Sequence, residues 1–309
     1  MEITQREAKI SKPIPVQKAG VRRLKHILGR SLVYLLLTAG AIIFVAPWVW
    51  MVSASFQPLK DIFNWPPTWI PETFTIANYT KFLKAEGFFR WVLNSTFLSV
   101  AVLLIQLVFN SLAAYAFAKR KFPGSNFLFL AMLGTMMIPG QLFLIPNYIT
   151  LLRAPLFGGN NILGMGGTGM LDSFWGILVP YSFSVWSVFF MRQYMKTIPD
   201  ELIDAARMDG ASEFRIYSQI VMPLCGPVLA AQAIFTFTFV WNDFFWPLIV
   251  ISSQDLRTLQ LGLALFVIKN RTVWDVVFAG SVISTIPVLL VFLIFQKYFV
   301  RGIALTGMK

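Results

Sequence analysis

Six stretches of this chain are long apolar runs in which polar positions are few. A helix that crosses a bilayer needs about 20 consecutive, mostly apolar residues. Runs of that order predict membrane helices over 31–51, 91–118, 127–152, 174–191, 227–251 and 276–295. The first run ends near Trp48 and Trp50, a residue type that favours the membrane–water interface. Pro139 and Pro146 interrupt the third run, and Pro247 lies late in the fifth. A proline inside a helix removes a hydrogen bond and bends or breaks it.

The connecting segments differ in kind. Residues 1–30 are polar and basic, with Pro13 and Pro15, and predict an irregular tail. Residues 56–88 carry Pro58, Pro66, Pro67 and Pro71 beside Trp65 and Trp69, and predict a segment lying along the membrane surface. Residues 153–172 contain Gly158, Gly159, Gly164, Gly166, Gly167 and Gly169. No Lys-Ser/Thr follows these glycines in the pattern of a phosphate-binding loop, so the expectation is a flexible loop. The organisation expected is a tail over 1–30, a membrane domain over 31–298, and a second tail over 299–309.

Composition agrees with the pattern. Only 13% of residues are charged and 57% are hydrophobic, whereas a soluble domain carries about 25% charged residues. The net charge of +12 is distributed unevenly. With both termini inside, eighteen of the 26 Lys and Arg fall on the inner side. That bias predicts cytoplasmic termini, because basic residues resist translocation. It also excludes nucleic acid as a partner, since no sustained basic and aromatic surface exists.

Candidate chemistry is sparse. A single cysteine, Cys225, and a single histidine, His26, leave no intrachain disulfide, no His/Cys metal site and no His-dependent triad. The polar residues inside the apolar runs are Gln106, Asn110, Asn242 and Asp243. Each has two readings: a hydrogen bond between helices, or a group lining a translocation pathway. Asp243 is the one clear acid in a run, while a proton-coupled carrier needs several buried acids or histidines.

The segment 196–223 reads KTIPDELIDAARMDGASEFRIYSQIVMP. Pro199, Asp200 and Glu201 make a good helix start, since proline fits the first turn and acids complement the helix dipole. Leu202, Ala205 and Ala206 recur at helical spacing, and Gly210 suits a left-handed helix end. Phe214, Tyr217 and Ile220 form the apolar stripe of a second helix that runs to Pro223. The residues alone allow either an amphipathic hairpin lying on the bilayer or a docking element for a cytoplasmic partner.

This segment resembles the EAA loop of ATP-binding-cassette importer permeases. Asp204-Ala205-Ala206 is followed by three residues, then Gly210, then nine residues, then Ile220-Val221-Met222-Pro223. Asp204 stands where the pattern has Glu, and Met222 where it has Leu. The resemblance implies an all-α membrane protein with the type I importer permease fold, six transmembrane helices and both termini cytoplasmic. It implies that Asp204, Ala205, Ala206, Asp209, Gly210, Ile220 and Pro223 build a coupling helix that docks on an ATPase subunit.

Further residues resemble the carbohydrate branch, the maltose-type second permease. They are Trp241-Asn242-Asp243-Phe244-Phe245-Trp246-Pro247-Leu248, Asn94-Ser95, Leu112-Ala113-Ala114-Tyr115-Ala116, and the chain end from Tyr298. The branch implies import of a di- or oligosaccharide or small glycoside across the bacterial cytoplasmic membrane. Implied partners are a homologous second permease, two copies of an ATPase and an extracytoplasmic binding protein. ATP and Mg belong to the ATPase, and this chain binds no cofactor. Ser252, Ser253, Gln254, Asp255 and Arg257 are the implied contact with the binding protein, and Gly302 and Lys309 with the ATPases. The alternatives are a permease for a non-sugar solute and a proton-coupled carrier.

Overall fold

A computed structural model describes residues 16–267 and 272–306, with side chains over 27–267 and 272–298. The described chain is helical and contains no strand. The first helix, α1 (Val16–Ser55), is followed by a segment with two short helices, which buries Gln57, Ile62, Asn78 and Phe82 and so does not simply lie along a surface, and then by α2 (Phe88–Lys119). The third apolar run divides into α3 (Ser125–Thr135) and α4 (Leu144–Leu152), bent by 92° at Pro139. The fourth divides into α5 (Trp175–Tyr181) and α6 (Val185–Met195). Next come α7 (Asp200–Met208) and α8 (Glu213–Leu224), the latter wound as a π-helix over Ile216–Val221. The chain closes with α9 (Gly226–Asn242), α10 (Phe245–Val250), α11 (Leu259–Ala264) and α12 (Trp274–Thr306).

Three helical stretches are long and apolar enough to cross a membrane: Ile27–Ser55, Phe88–Lys119 and Trp274–Tyr298. Two bent pairs, α3 with the helical turns through α4 and α8 with α9, bring the count to as many as five. The remaining expected span, the fourth, over 174–191, is not a single helix. Pro180 sits in the last turn of α5, and Ser182 Oγ donates to the Val179 carbonyl at 2.7 Å. Ser184 then starts α6 as its cap, accepting from Ser187 N at 3.3 Å. Serine side chains that bond nearby backbone groups compete with the helix ladder, and here two of them follow a proline.

Helix extends into both expected tails. No proline follows Pro15 until Pro47, so α1 begins at Val16, well inside the expected irregular tail. At the other end the backbone stays helical to Thr306, past Gly302. Lys309 lies outside the described residues.

α2 is the central helix. In its most apolar window 44% of residues are buried, against none in α1 and 17% in α12. It packs on α6 and α9, and α9 packs on α12. One apolar core lies where α2, α6, α7 and α8 meet, around Val188, Met191, Ile203, Ile216 and Val221. A second joins α2 to α5 and α10 through Leu98, Ile177 and Trp246. A third centres on Trp241, whose ring stacks on Phe237 and whose Nε1 donates to the Ser284 carbonyl of α12 at 2.8 Å.

Candidate translocation and coupling sites

A break in a membrane helix leaves backbone groups that lipid cannot satisfy, so it survives only where protein or water supplies partners. The α5–α6 break is satisfied by α2. Gln106 is buried, and its Nε2 donates to the Tyr181 carbonyl at 2.7 Å. One turn further on, Asn110 Oδ1 accepts from Ser184 N at 3.3 Å. Gln106 Oε1 accepts from Thr236 at 3.1 Å, Ser187 at 3.3 Å and Gln232 at 3.4 Å. Gln106 bonds between helices, and it also lines a cleft.

That cleft has a volume of about 500 Å³ and opens at the break. Gln106, Tyr181, Phe183, Trp186, Phe235 and Phe239 line it. Aromatic walls around a few converging polar groups are the usual make-up of a small-molecule site. Asn110, Asn242 and Asp243 are not in its lining. Asp243 is half-buried where α9 gives way to α10, and Tyr181 Oη donates to its Oδ2 at 2.7 Å. Asp243 Oδ1 also accepts from Trp246 N at 3.4 Å, and Trp246 Nε1 donates to the Gly176 carbonyl at 2.9 Å. Tyr181 therefore ties the two helix breaks together, with its carbonyl to Gln106 and its hydroxyl to Asp243. Asn242 is exposed and bonds to Thr238 and Gln260.

One end of the bundle is more ordered than expected. The glycine-rich segment is a folded loop and not a flexible one. Asn160 Nδ2 donates to the Leu152 and Ala154 carbonyls at 2.8 and 3.0 Å, and its Oδ1 accepts from Gly167 N at 2.7 Å. A Cβ at Gly167 would sit 2.0 Å from the Gly158 carbonyl oxygen, and one at Gly169 2.1 Å from that of Leu151. These glycines are there because backbone packs on backbone. Asp172 ends the loop and accepts from Ser252 N and Ser253 N at 2.9 and 2.8 Å, and from Ser253 Oγ. Those bonds hold its carboxyl below the usual range. Arg90 pairs with Asp255, and Asn94 Nδ2 donates to the Asp255 and Arg257 carbonyls. Ser252, Gln254 and Asp255 are exposed on this braced turn.

On the opposite side, α7 and α8 form the expected hairpin. Gly210 has φ +77°, with open space around it. Its N–H donates to the Arg207 carbonyl, and the next N–H, of Ala211, donates to that of Ala206, both at 3.0 Å. This is the paired closure of a Schellman turn. The two adjacent alanines separate. Ala206 is buried with Ile203 against the bundle, while Ala205 faces out with Leu202, Met208 and Phe214. One step along a helix turns the side chain by about 100°, so neighbours cannot share a face. The stripe proposed for α8 splits likewise: Tyr217 is buried, Ile220 half-buried, and Phe214 and Pro223 exposed. Asp204 and Asp209 are exposed.

Lys119, Arg120 and Arg207, which the sequence marked only as loop charges, help to fasten this hairpin. Glu213 accepts from Arg207 Nε at 3.0 Å and from the Tyr115 hydroxyl at 2.8 Å, and it pairs with Arg120. Arg207 also bonds Asp204 at 3.0 Å. Lys119 Nζ lies 2.6 Å from Asp200 and donates to the Ile198 carbonyl. The end of α2 is thereby joined to both hairpin helices. The only signal in the sequence was opposite charge at the two segments.

The electrostatics set a pH window. Partial burial works to raise the Glu213 carboxyl, but its bonds to Tyr115 and Arg207 and the nearby Arg120 outweigh this and lower it. The Lys119 ammonium lowers Asp200. A carboxylate lowered by folding contributes stability above its unfolded pKa and loses it as pH falls through the folded value. A spin label at Met208→Cys, on the exposed face, should therefore keep one ordered spectrum from pH 8 to 5. It should become mobile only as pH falls below the ordinary carboxylate range. Mobility that changes between pH 8 and 6 would count against this lock.

Residues 106–305 match the family described as "Binding-protein-dependent transport system inner membrane component". The chain belongs to this family. It is similar to the arabinooligosaccharides transport system permease protein AraQ of Halalkalibacterium halodurans, 35% identical over 89% of this chain and 96% of that protein. It is also similar to the sn-glycerol-3-phosphate transport system permease protein UgpE of Escherichia coli, 31% identical over 85% of this chain and 91% of that protein. A crystal structure of a bacterial ABC transporter that imports the acidic polysaccharide alginate shares the fold. Its TM-score is 0.73 at 24% identity, covering 90% of this chain and 98% of that one. The matched residues include Gln106, the α5–α6 break, the hairpin and Asp243.

Proposed function

We propose that this chain is one of two membrane subunits of an ATP-driven sugar importer, and that it supplies half of the translocation pathway. The observation that carries the reading is the hairpin. A rigid turn at Gly210 displays Leu202, Ala205, Met208 and Phe214 to the outside, while ion pairs fix the same hairpin to the central helix. A surface that is apolar outside and locked inside suits a partner whose movement must reach the bundle as rigid-body motion. The partner is an ATPase subunit in two copies, which holds ATP and Mg. The braced turn at 252–257 faces an extracytoplasmic binding protein. With the α5–α6 pair counted as one of six crossings, both termini would lie on the same side of the membrane, and the Lys/Arg bias makes that side the bacterial cytoplasm.

The cleft at the α5–α6 break supports a neutral sugar as cargo. Its walls are aromatic, its polar groups are amide and hydroxyl, and no charged side chain lines it. The same lining disfavours an anionic solute such as a glycerol phosphate within this half.

Purification of the tagged chain from its native membrane should bring down an ATPase, a homologous permease and a solute-binding protein. Uptake across a panel of oligosaccharides, small glycosides and glycerol phosphates should select a neutral glycoside. A self-sufficient homomer with no ATPase would overturn the importer reading. Uptake confined to phosphates would overturn the sugar. Topology is open to cysteine labelling, because the one native cysteine, Cys225, is buried.

A further inference from the structure

A second pocket, distinct from the cleft and the hairpin surface, lies where α2 ends and α3 begins. It has a volume of about 570 Å³, and its lining includes Lys121, Ser125, Asn126, Arg192 and Lys196. No acid lines it. Arg192 is only 8% exposed, yet no carboxylate among the described residues lies within ion-pair distance of it. Its Nε donates to the Phe117 carbonyl at 3.1 Å, and its guanidinium carbon lies 3.7 Å from the Phe129 ring centroid. The remaining guanidinium N–H groups have no acceptor in the described chain. These nitrogens open onto the pocket, where they are free to donate charge-assisted hydrogen bonds to an anion.

Three further features fit that anion. Lys121 and Lys196 are exposed at the rim and form no ion pair, since the nearest acids are engaged elsewhere: Asp200 by Lys119, and Glu213 by Arg120 and Arg207. The eleven-residue helix α3 starts at this pocket, after Gly124 in a left-handed conformation, and no side chain caps its N-terminus. Its free N–H groups add positive potential there. The apolar part of the lining is Phe117, Phe122 and Pro123, and exposed Phe127, Leu128 and Leu130 continue along α3. Charge at one end and lipid-facing apolar surface beside it is the arrangement of a headgroup site.

We propose that this pocket is a phosphate-binding site, and that its usual occupant is the phosphate of an anionic phospholipid. Arg192 and the α3 N-terminus hold the phosphate, Lys121 and Lys196 attract it, and the acyl chains run down α3. The topology proposed above would place this lipid in the cytoplasmic leaflet, whereas binding itself does not rest on that topology.

Native mass spectrometry of the full chain in detergent, with added phosphatidylglycerol, phosphatidylcholine or inorganic phosphate alone, tests this. Wild type should retain phosphatidylglycerol about tenfold more tightly than phosphatidylcholine. The Lys121→Gln/Lys196→Gln variant should lose roughly 10- to 30-fold in that retention. Both side chains are exposed, so folding is preserved, and Arg192→Gln provides a deeper lesion. Lys60→Gln/Lys84→Gln, also exposed, should change nothing. Displacement of the lipid by millimolar inorganic phosphate would identify a site that soluble phosphate also enters, and binding of phosphate without lipid would make the occupant soluble. Equal retention of both lipids with no phosphate binding, or retention indifferent to Lys121 and Lys196, would overturn the proposal. Neither result bears on whether the chain imports a sugar, which the uptake panel reads separately.

Discussion

Replacing Gln106 with leucine should reduce transport about tenfold or more while the chain still inserts in the membrane. The leucine keeps much of the volume but removes the donor to the Tyr181 carbonyl and the acceptor for Thr236, Ser187 and Gln232. A buried polar group left without a partner costs about 1–3 kcal/mol, and the lipid setting offers no water in compensation. The α5–α6 break should then close toward continuous helix or splay apart. Either change removes the cleft, because Tyr181 and Phe183 reach it only through the break. Thermal unfolding in detergent should fall by several degrees, and uptake should drop with it. Gln106→Glu is the informative companion. It keeps an acceptor but loses the amide donor, so Tyr181 is orphaned while the hydroxyl contacts survive. An unchanged melting temperature and unchanged uptake in Gln106→Leu would mean that the break is held by something else.

Replacing Gly210 with valine should weaken association with the ATPase about 10- to 100-fold while leaving insertion intact. The position has φ +77°, and a Cβ there would meet nothing within 4 Å. The penalty is therefore backbone strain and not collision. A β-branched residue in that conformation costs about 1–3 kcal/mol, and 1.4 kcal/mol is a factor of ten. The turn would relax, α8 would swing relative to α7, and the face formed by Ala205, Met208 and Phe214 would come apart. Gly210→Asn should retain most of the binding, since asparagine tolerates the left-handed region. Co-purification of the ATPase with each variant reads the ordering. If valine and asparagine behave alike, left-handed geometry is not what the position contributes.

Much of the architecture follows from the sequence taken by itself. Membrane class comes from the run lengths and the scarcity of charge, because hydrocarbon excludes charge wherever a helix crosses it. The turn at Gly210 was legible for a local reason: only a residue without a Cβ adopts φ near +77° at little cost. The bend of the third run was marked by Pro139, which cannot donate to the helix ladder.

Other features depended on partners distant in the chain. Ser182 and Ser184 after Pro180 mark a local weak point in the helix, but nothing local says that a break there can survive in a membrane. The break is tolerated because Gln106 and Asn110, more than seventy residues earlier, supply its missing hydrogen bonds. The exposed alanine of the Ala205-Ala206 pair was settled by which side of α7 meets Ile216 and Val221 in the core. The glycines at 158–169 suggest flexibility in one dimension. In three they permit backbone contact that any Cβ would block. Where a residue's state depends on its own backbone freedom or on the length of an apolar run, the sequence determined it. Where a polar group needed a partner, or a small residue a neighbour, only the tertiary structure decided, because an unpaired buried group has no stable state of its own.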